Sequence, residues 1–169
     1  PIIQYMRMKL LERDIIHCDE TPIQVLKEDG KKPQTKSYMW LYRTGNDGEA
    51  PIILYDYRSS RNGDNPVEYL KGFTGYLHTD GYSGYNKLNA TRCGCLAHLR
   101  RKFIEVIPDK RANNAPPTHA EIGRDYCNKL FHIEESLKEL SPKKDILSVL
   151  NWNGQSLMPF GVGLKILPY

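Results

Sequence analysis

The chain has 169 residues, of which 40% are hydrophobic and 26% charged, the balance of a globular domain of ordinary size. It has no run of about 18 apolar residues of the kind that spans a bilayer, and Pro1–Tyr5 lacks the layout of a secretory signal. A membrane partner is therefore excluded and a cytoplasmic setting expected. Four cysteines in this length are too few for a disulfide scaffold, and the net charge of +4 permits a polyanionic partner without demanding one. The chain does not open on Met, and residues upstream are expected to be missing.

Ile2, Ile3, Met6, Leu10 and Leu11 recur at helical spacing. They predict the end of an upstream helical region over residues 1–13. Ile15 and Ile16 open a strand that runs through Cys18 to Ile23, Val25 and Leu26, followed by a polar loop at residues 27–33. Tyr38–Tyr42 predicts a second strand, Gly45-Asn46-Asp47-Gly48 a turn, and Pro51–Tyr57 a third strand. Three strands on short turns suggest an antiparallel meander.

Asn65-Pro66-Val67-Glu68 reads as a helix start, with Asn65 as cap and Glu68 completing a capping box. Gly75–Asp80 then predicts a fourth strand ending at an acid. The intervening helix favours parallel pairing for that strand. A short fifth strand is expected at Arg92–Cys95. A helix follows with Leu96, Leu99, Phe103 and Ile107 on one stripe, ended by Pro108. After a loop at 109–118, Ile122, Tyr126, Leu130, Ile133, Leu137 and Leu140 predict a long helix closed by Ser141-Pro142. Residues 151–169 carry no usable periodicity. The fold class is thus α/β: a mixed sheet, part meander and part parallel, with flanking helices.

Asp19 sits inside an otherwise apolar strand, where a carboxylate needs water, a partner or a metal. Its plainer reading is a residue on the solvent face. Asp80, before Gly81-Tyr82, has the plainer reading of a turn residue. Together they say more, because the first strand and the strand after a crossover can be neighbours. Two carboxylates brought together repel, and a divalent cation relieves this. Oxygen ligands select Mg²⁺ or Mn²⁺, and such a site suits in-line phosphoryl transfer. His98, Arg100, Arg101 and Lys102 cluster within five positions and suit contact with DNA phosphates, against the plainer reading of a solvated helix face. A zinc site from Cys93, Cys95 and His98 is disfavoured by its tight spacing, and Cys127 reads as core. Tyr38, Trp40 and Tyr42 could stack on bases, but sheet packing is the simpler account.

The series Asp19-Glu20-Thr21-Pro22, Tyr38-Met39-Trp40, Thr79-Asp80-Gly81-Tyr82 and Cys95-Leu96-Ala97-His98-Leu99-Arg100-Arg101-Lys102-Phe103 resembles the transposases of the insertion sequence sixty-six family. The resemblance covers about residues 15–140, including Leu130-Phe131-His132-Ile133-Glu134. It implies a ribonuclease-H-like core and a DDE mechanism, with Asp19 as first and Asp80 as second catalytic acid. It also implies DNA partners (element ends and target), a nucleoid setting and a homo-oligomer. The family's third acid is a Glu within Asn-Asn-x-x-Glu-Arg. Here Asn113-Asn114 is followed by Ala-Pro-Pro, so the third catalytic acid is unassigned. The chain leaves the family pattern near Ser141. It is expected to comprise an incomplete core at 14–141 and an atypical tail at 142–169, with impaired catalysis. Two rival readings stand beside this one. The first is a ribonuclease-H-like nuclease taking Glu134 or Glu139 as third acid. The second is a remnant that binds DNA or intact transposase without catalysis.

Overall fold

The computed structural model describes residues 1–110 and 115–137. They fall into two compact units, the first covering Pro1–Lys102 and the second beginning at Phe103. The first holds a five-stranded sheet. In chain order its elements are α1 (Ile2–Leu11), β1 (Ile15–Gln24), β2 (Lys36–Thr44), β3 (Ile53–Arg58), α2 (Asp64–Tyr69), β4 (Tyr76–Thr79), a 3-10 turn at Ser83–Lys87, and β5 (Thr91–Gly94). Helix α3 (Leu96–Glu105) crosses the boundary, and α4 (His119–Leu137) lies in the second unit.

The strand order is β3-β2-β1-β4-β5. β1, β2 and β3 form the expected antiparallel meander, while β4 pairs parallel with both β1 and β5. Gly45-Asn46-Asp47-Gly48 makes the β2–β3 turn, with Gly48 at φ 82°, a conformation that glycine adopts without penalty. Asp47 in this turn pairs with Arg13, whose guanidinium holds the carboxyl down at about 2.

Alternation along the strands selects one face for the core. Ile16 and Cys18 of β1, Trp40 and Tyr42 of β2, Leu54 of β3 and Leu77 of β4 all point into it. Leu10 of α1 and Tyr69, Leu70 and Phe73 around α2 cover that face. The Tyr42 and Tyr69 rings stack with centroids 3.9 Å apart, and Trp40 meets Tyr85 edge-on at 5.9 Å. Trp40 and Tyr42 are fully buried and Tyr38 is partly buried against the same core, so these aromatics pack the sheet.

Three local readings change. β1 stops at Gln24, and Val25 and Leu26 lie beyond it. α2 starts one residue before Asn65, with Gly63 at the cap position and no side-chain cap bond. Asn62 supplies what Asn65 was expected to, since its Oδ1 accepts from the Asp64 N–H and its carbonyl from the Asn65 N–H. Asn65 instead donates to the Ser60 carbonyl, and Glu68 pairs with Arg58. The proline at position 66 is tolerated anywhere in the first turn, where N–H groups have no helical partner.

The third change concerns α3. No residue of it is buried, and Leu99 is 50% exposed. Helical spacing reports which face is apolar but not that a partner surface covers it. The stripe is real at one end: the Phe103 ring lies where a Cβ on Gly123 of α4 would come within 2.5 Å. α4 opens on a capping box, for which no expectation was set at this helix. Thr118 Oγ1 accepts from the Glu121 N–H, and Glu121 Oε2 accepts from the Thr118 N–H. Cys127 is buried in this helix. Leu140, Ser141-Pro142 and the tail at 142–169 lie outside the described residues, as do Asn113-Asn114 and Glu139.

Candidate active site

β1 is ten residues long and β4 only four. Their parallel ladder runs Ile15↔Tyr76, Ile16↔Leu77, His17↔His78 and then stops. The reason is local: Asp80-Gly81 turns the chain away, and Asp80 Oδ1 accepts from the Tyr82 N–H at 2.8 Å. Beyond His17, β1 therefore has no strand partner on its β4 side. β1 connects onward to β2 on one side and β4 to β5 on the other, so the boundary between β1 and β4 is a topological switch point, the usual place for a site in open α/β sheets.

Asp19 and Asp80 each stand two residues past the last paired positions, His17 and His78, beyond the end of that ladder. The rings of His17 and His78, at the last paired position, meet at 4.6 Å. Burial and the nearby His78 hold the His17 pKa below its ordinary value. Asp19 is exposed and Asp80 has 23% of its side chain exposed. Each carboxylate is anchored by one oxygen to a main-chain N–H: Asp19 Oδ1 to Glu20 at 2.9 Å, and Asp80 Oδ1 to Tyr82. Neither bond takes up the second oxygen. The buried Cys18 thiol is pushed up by burial, with Tyr85 opposing through a hydrogen bond and the charges of Glu20, Asp19 and Asp80 adding to the rise.

Glu20, Arg61, Tyr82 and Tyr85 belong to this corner and were missed in the sequence. The Glu20 side chain is closed off from solvent. Burial raises its carboxyl pKa, and the charge of Asp80 adds to this, while Tyr85 and Arg61 oppose it. Arg61 Nε donates to Glu20 Oε1 at 2.7 Å, and the Tyr85 hydroxyl donates to Oε2. Burial disfavours the Arg61 charge, but Glu20 outweighs it and the guanidinium pKa rises. An Arg nineteen residues before Asp80 in a loop of Ser, Asn and Gly carries no periodic signal. Only the fold brings it to Glu20.

The basic cluster stands on α3. Arg101 and Lys102 are exposed and Arg100 is half-buried. His98 is half-buried, with Nδ1 enclosed and without a hydrogen-bond partner among the described residues. Glu134, on α4, is exposed. Among the described residues no three His, Cys, Asp or Glu side chains form a metal-holding group, so Cys93, Cys95 and His98 do not assemble one. No described helix is long and apolar enough to cross a membrane.

The fold is an α/β domain with a five-stranded mixed sheet and flanking helices. The family model described as "Transposase IS66 family" matches residues 1–153, and the chain belongs to that family. The match runs past Ser141, where the sequence reading sets the departure. An uncharacterized protein, y4qI, of Sinorhizobium fredii (strain NGR234) is 31% identical over 120 residues, covering 62% of this chain and 22% of the relative. A second from the same organism, y4hP, is 26% identical over 164 residues, covering 85% and 29%. A third, y4jD, is 29% identical over 106 residues, covering 54% and 20%. The chain thus spans less than a third of the length of these relatives. No solved structure matches it.

Proposed function

We propose that this chain carries two of the three acids of a DDE transposase core with a ribonuclease-H-like sheet, built for metal-dependent cleavage and strand transfer of DNA. One observation carries the reading: β1 and β4 are adjacent parallel strands, and Asp19 and Asp80 each stand two residues past their last paired positions, His17 and His78, each fixed through one oxygen. The sheet order β3-β2-β1-β4-β5 and membership of the transposase family support it.

Two oxygen-rich, accessible carboxylates fit a hard divalent cation such as Mg²⁺ or Mn²⁺. Bound there, the cation would lower the pKa of an attacking water or hydroxyl and offset charge on the leaving oxygen. The protein's own part is to hold the two carboxylates still, since misplacement of a fixed ligand set degrades catalysis steeply. No third acid is assigned.

The test is titration of the chain with Mn²⁺, with Asp19→Asn and Asp80→Asn beside it. Each substitution is expected to weaken saturable Mn²⁺ binding at least about tenfold, since it replaces a charged ligand by a neutral one. Mg²⁺-dependent nicking of plasmid DNA falls with it, while DNA binding in EDTA is kept. Saturable Mn²⁺ binding that survives both substitutions overturns the reading.

The α3 cluster of His98, Arg100, Arg101 and Lys102 is assigned to DNA phosphates, at the element ends or in the target. Reversing two charges in Arg100→Glu/Arg101→Glu is expected to weaken DNA binding at low salt. The slope of log affinity against log salt should flatten by roughly 1–2, since each lost phosphate contact removes about 0.9. An unchanged slope would remove α3 from the DNA interface.

A further inference from the structure

We propose that Arg61 is a positioning residue for the Asp19/Asp80 site: it straps β1 to the loop after β4 where their ladder has ended, and so fixes the aim of Asp80. This rests on the reading of those aspartates as the site.

The argument starts from the missing ladder. Beyond His17↔His78 no main-chain bonds join β1 to β4. The residues there would be free to splay unless side chains replaced the ladder. Arg61, in the loop after β3, does so from three directions. Its Nε and one terminal nitrogen reach Glu20 Oε1 on β1 at 2.7 and 2.5 Å. That same terminal nitrogen lies 4.0 Å from Asp80 Oδ2. Its guanidinium carbon sits 4.1 Å from the centre of the Tyr82 ring, and the Tyr82 hydroxyl donates back to the Arg61 carbonyl. Tyr82 in turn holds Asp80 Oδ1 through its N–H. The circuit closes: β1 through Glu20 to Arg61, Arg61 to Tyr82, Tyr82 to Asp80.

A planar fork with several donors, stacked on an aromatic face, can serve both acids at once, whereas an ammonium is a single point charge. Glu20 is satisfied at both oxygens, by Arg61 and Tyr85. It is thereby withheld from competing with Asp19 and Asp80 for a cation. Asp80 Oδ2, by contrast, is approached only at 4.0 Å, near enough to be steered and open to exchange for a metal.

Position and charge make opposite predictions, which gives the experiment its edge. Loss of a positive charge beside two acids would by itself tighten cation binding. Loss of positioning loosens it. Arg61→Gln and Arg61→Lys are compared with wild type by three readouts: thermal unfolding, hydrogen exchange of the Tyr82 amide by NMR, and Mn²⁺ titration. Arg61→Lys is expected to keep the unfolding temperature near wild type, because Glu20 retains a counter-charge. It should nonetheless speed Tyr82 exchange and weaken Mn²⁺ binding, each at least about tenfold. Arg61→Gln should lower the unfolding temperature as well, while Mn²⁺ binding still weakens. An unmoved Tyr82 amide in Arg61→Lys, or Mn²⁺ binding that tightens in Arg61→Gln, overturns the positioning role. Wild type that binds no Mn²⁺, with Tyr82 still released in the variants, overturns the metal-site reading and with it the assignment of Arg61 to such a site.

Discussion

Replacing Trp40 with alanine should cost about 3–5 kcal/mol of unfolding free energy, the range for emptying a large aromatic from a packed core. Domains of this kind hold about 5–15 kcal/mol in all, so much of the margin goes. Trp40, on β2, is 0% exposed. Its register partner across β1 is Glu20 and its edge-on neighbour is Tyr85. The cavity would therefore open beneath the hydroxyl that holds Glu20 Oε2. Urea unfolding followed by circular dichroism measures the loss. Trp40→Phe, which keeps an aromatic in place, should recover more than half of it. A loss below about 1 kcal/mol for Trp40→Ala would mean that the β2 aromatics do not sit in a dry core.

The second large effect is expected from a single methyl group. A Cβ on Gly63 would lie 2.6 Å from the Gly84 carbonyl oxygen and 2.7 Å from its Cα. Both are main-chain atoms, so no flexible side chain can yield. The contact joins the start of α2 to the 3-10 turn, and each partner carries part of the strap: Arg61 stands two residues before Gly63, Tyr82 and Tyr85 flank Gly84. Gly63→Ala is expected to destabilise the chain by about 1–3 kcal/mol, the usual cost of overpacking. It should also shift the Tyr82 amide resonance, because α2 and the turn must part. Gly81→Ala is the control. It lies beside Asp80 in an uncrowded position, with nothing within 4 Å of its Cβ, and should stay within about 0.5 kcal/mol of wild type. Equal stability of the two variants would show that the two glycines do not bring the segments together by close contact.

The strands were legible because each is a short apolar run set off by turn residues. Ile15–Ile16, Tyr38–Tyr42 and Ile52–Tyr55 needed no tertiary information. The parallel placement of β4 followed from the helix before it, since a crossover is the connection a parallel strand requires. Helix ends were less legible. Asn62 and Asn65 offer the same cap chemistry three residues apart, and nothing in the local sequence chooses between them. The apolar stripe of α3 was visible as spacing, but spacing cannot say whether a surface lies opposite.

The same division runs through the candidate site. By itself the sequence determined that two aspartates end or interrupt strands, that the second stands in a turn, and that a basic stretch opens the helix after β5. Those are properties of neighbours along the chain: alternation, turn chemistry and local charge. Only the tertiary structure decided that β1 and β4 are neighbours and that their ladder stops at His17 and His78, two residues short of Asp19 and Asp80. It also decided that Glu20, one residue from Asp19, faces the other way into an enclosed pair with Arg61 and Tyr85. The contacts from Glu20 to Arg61 and Tyr85 span 41 and 65 residues. A distance of that kind leaves no periodic trace in a sequence, since it is set by how the sheet stacks and where its ladders stop.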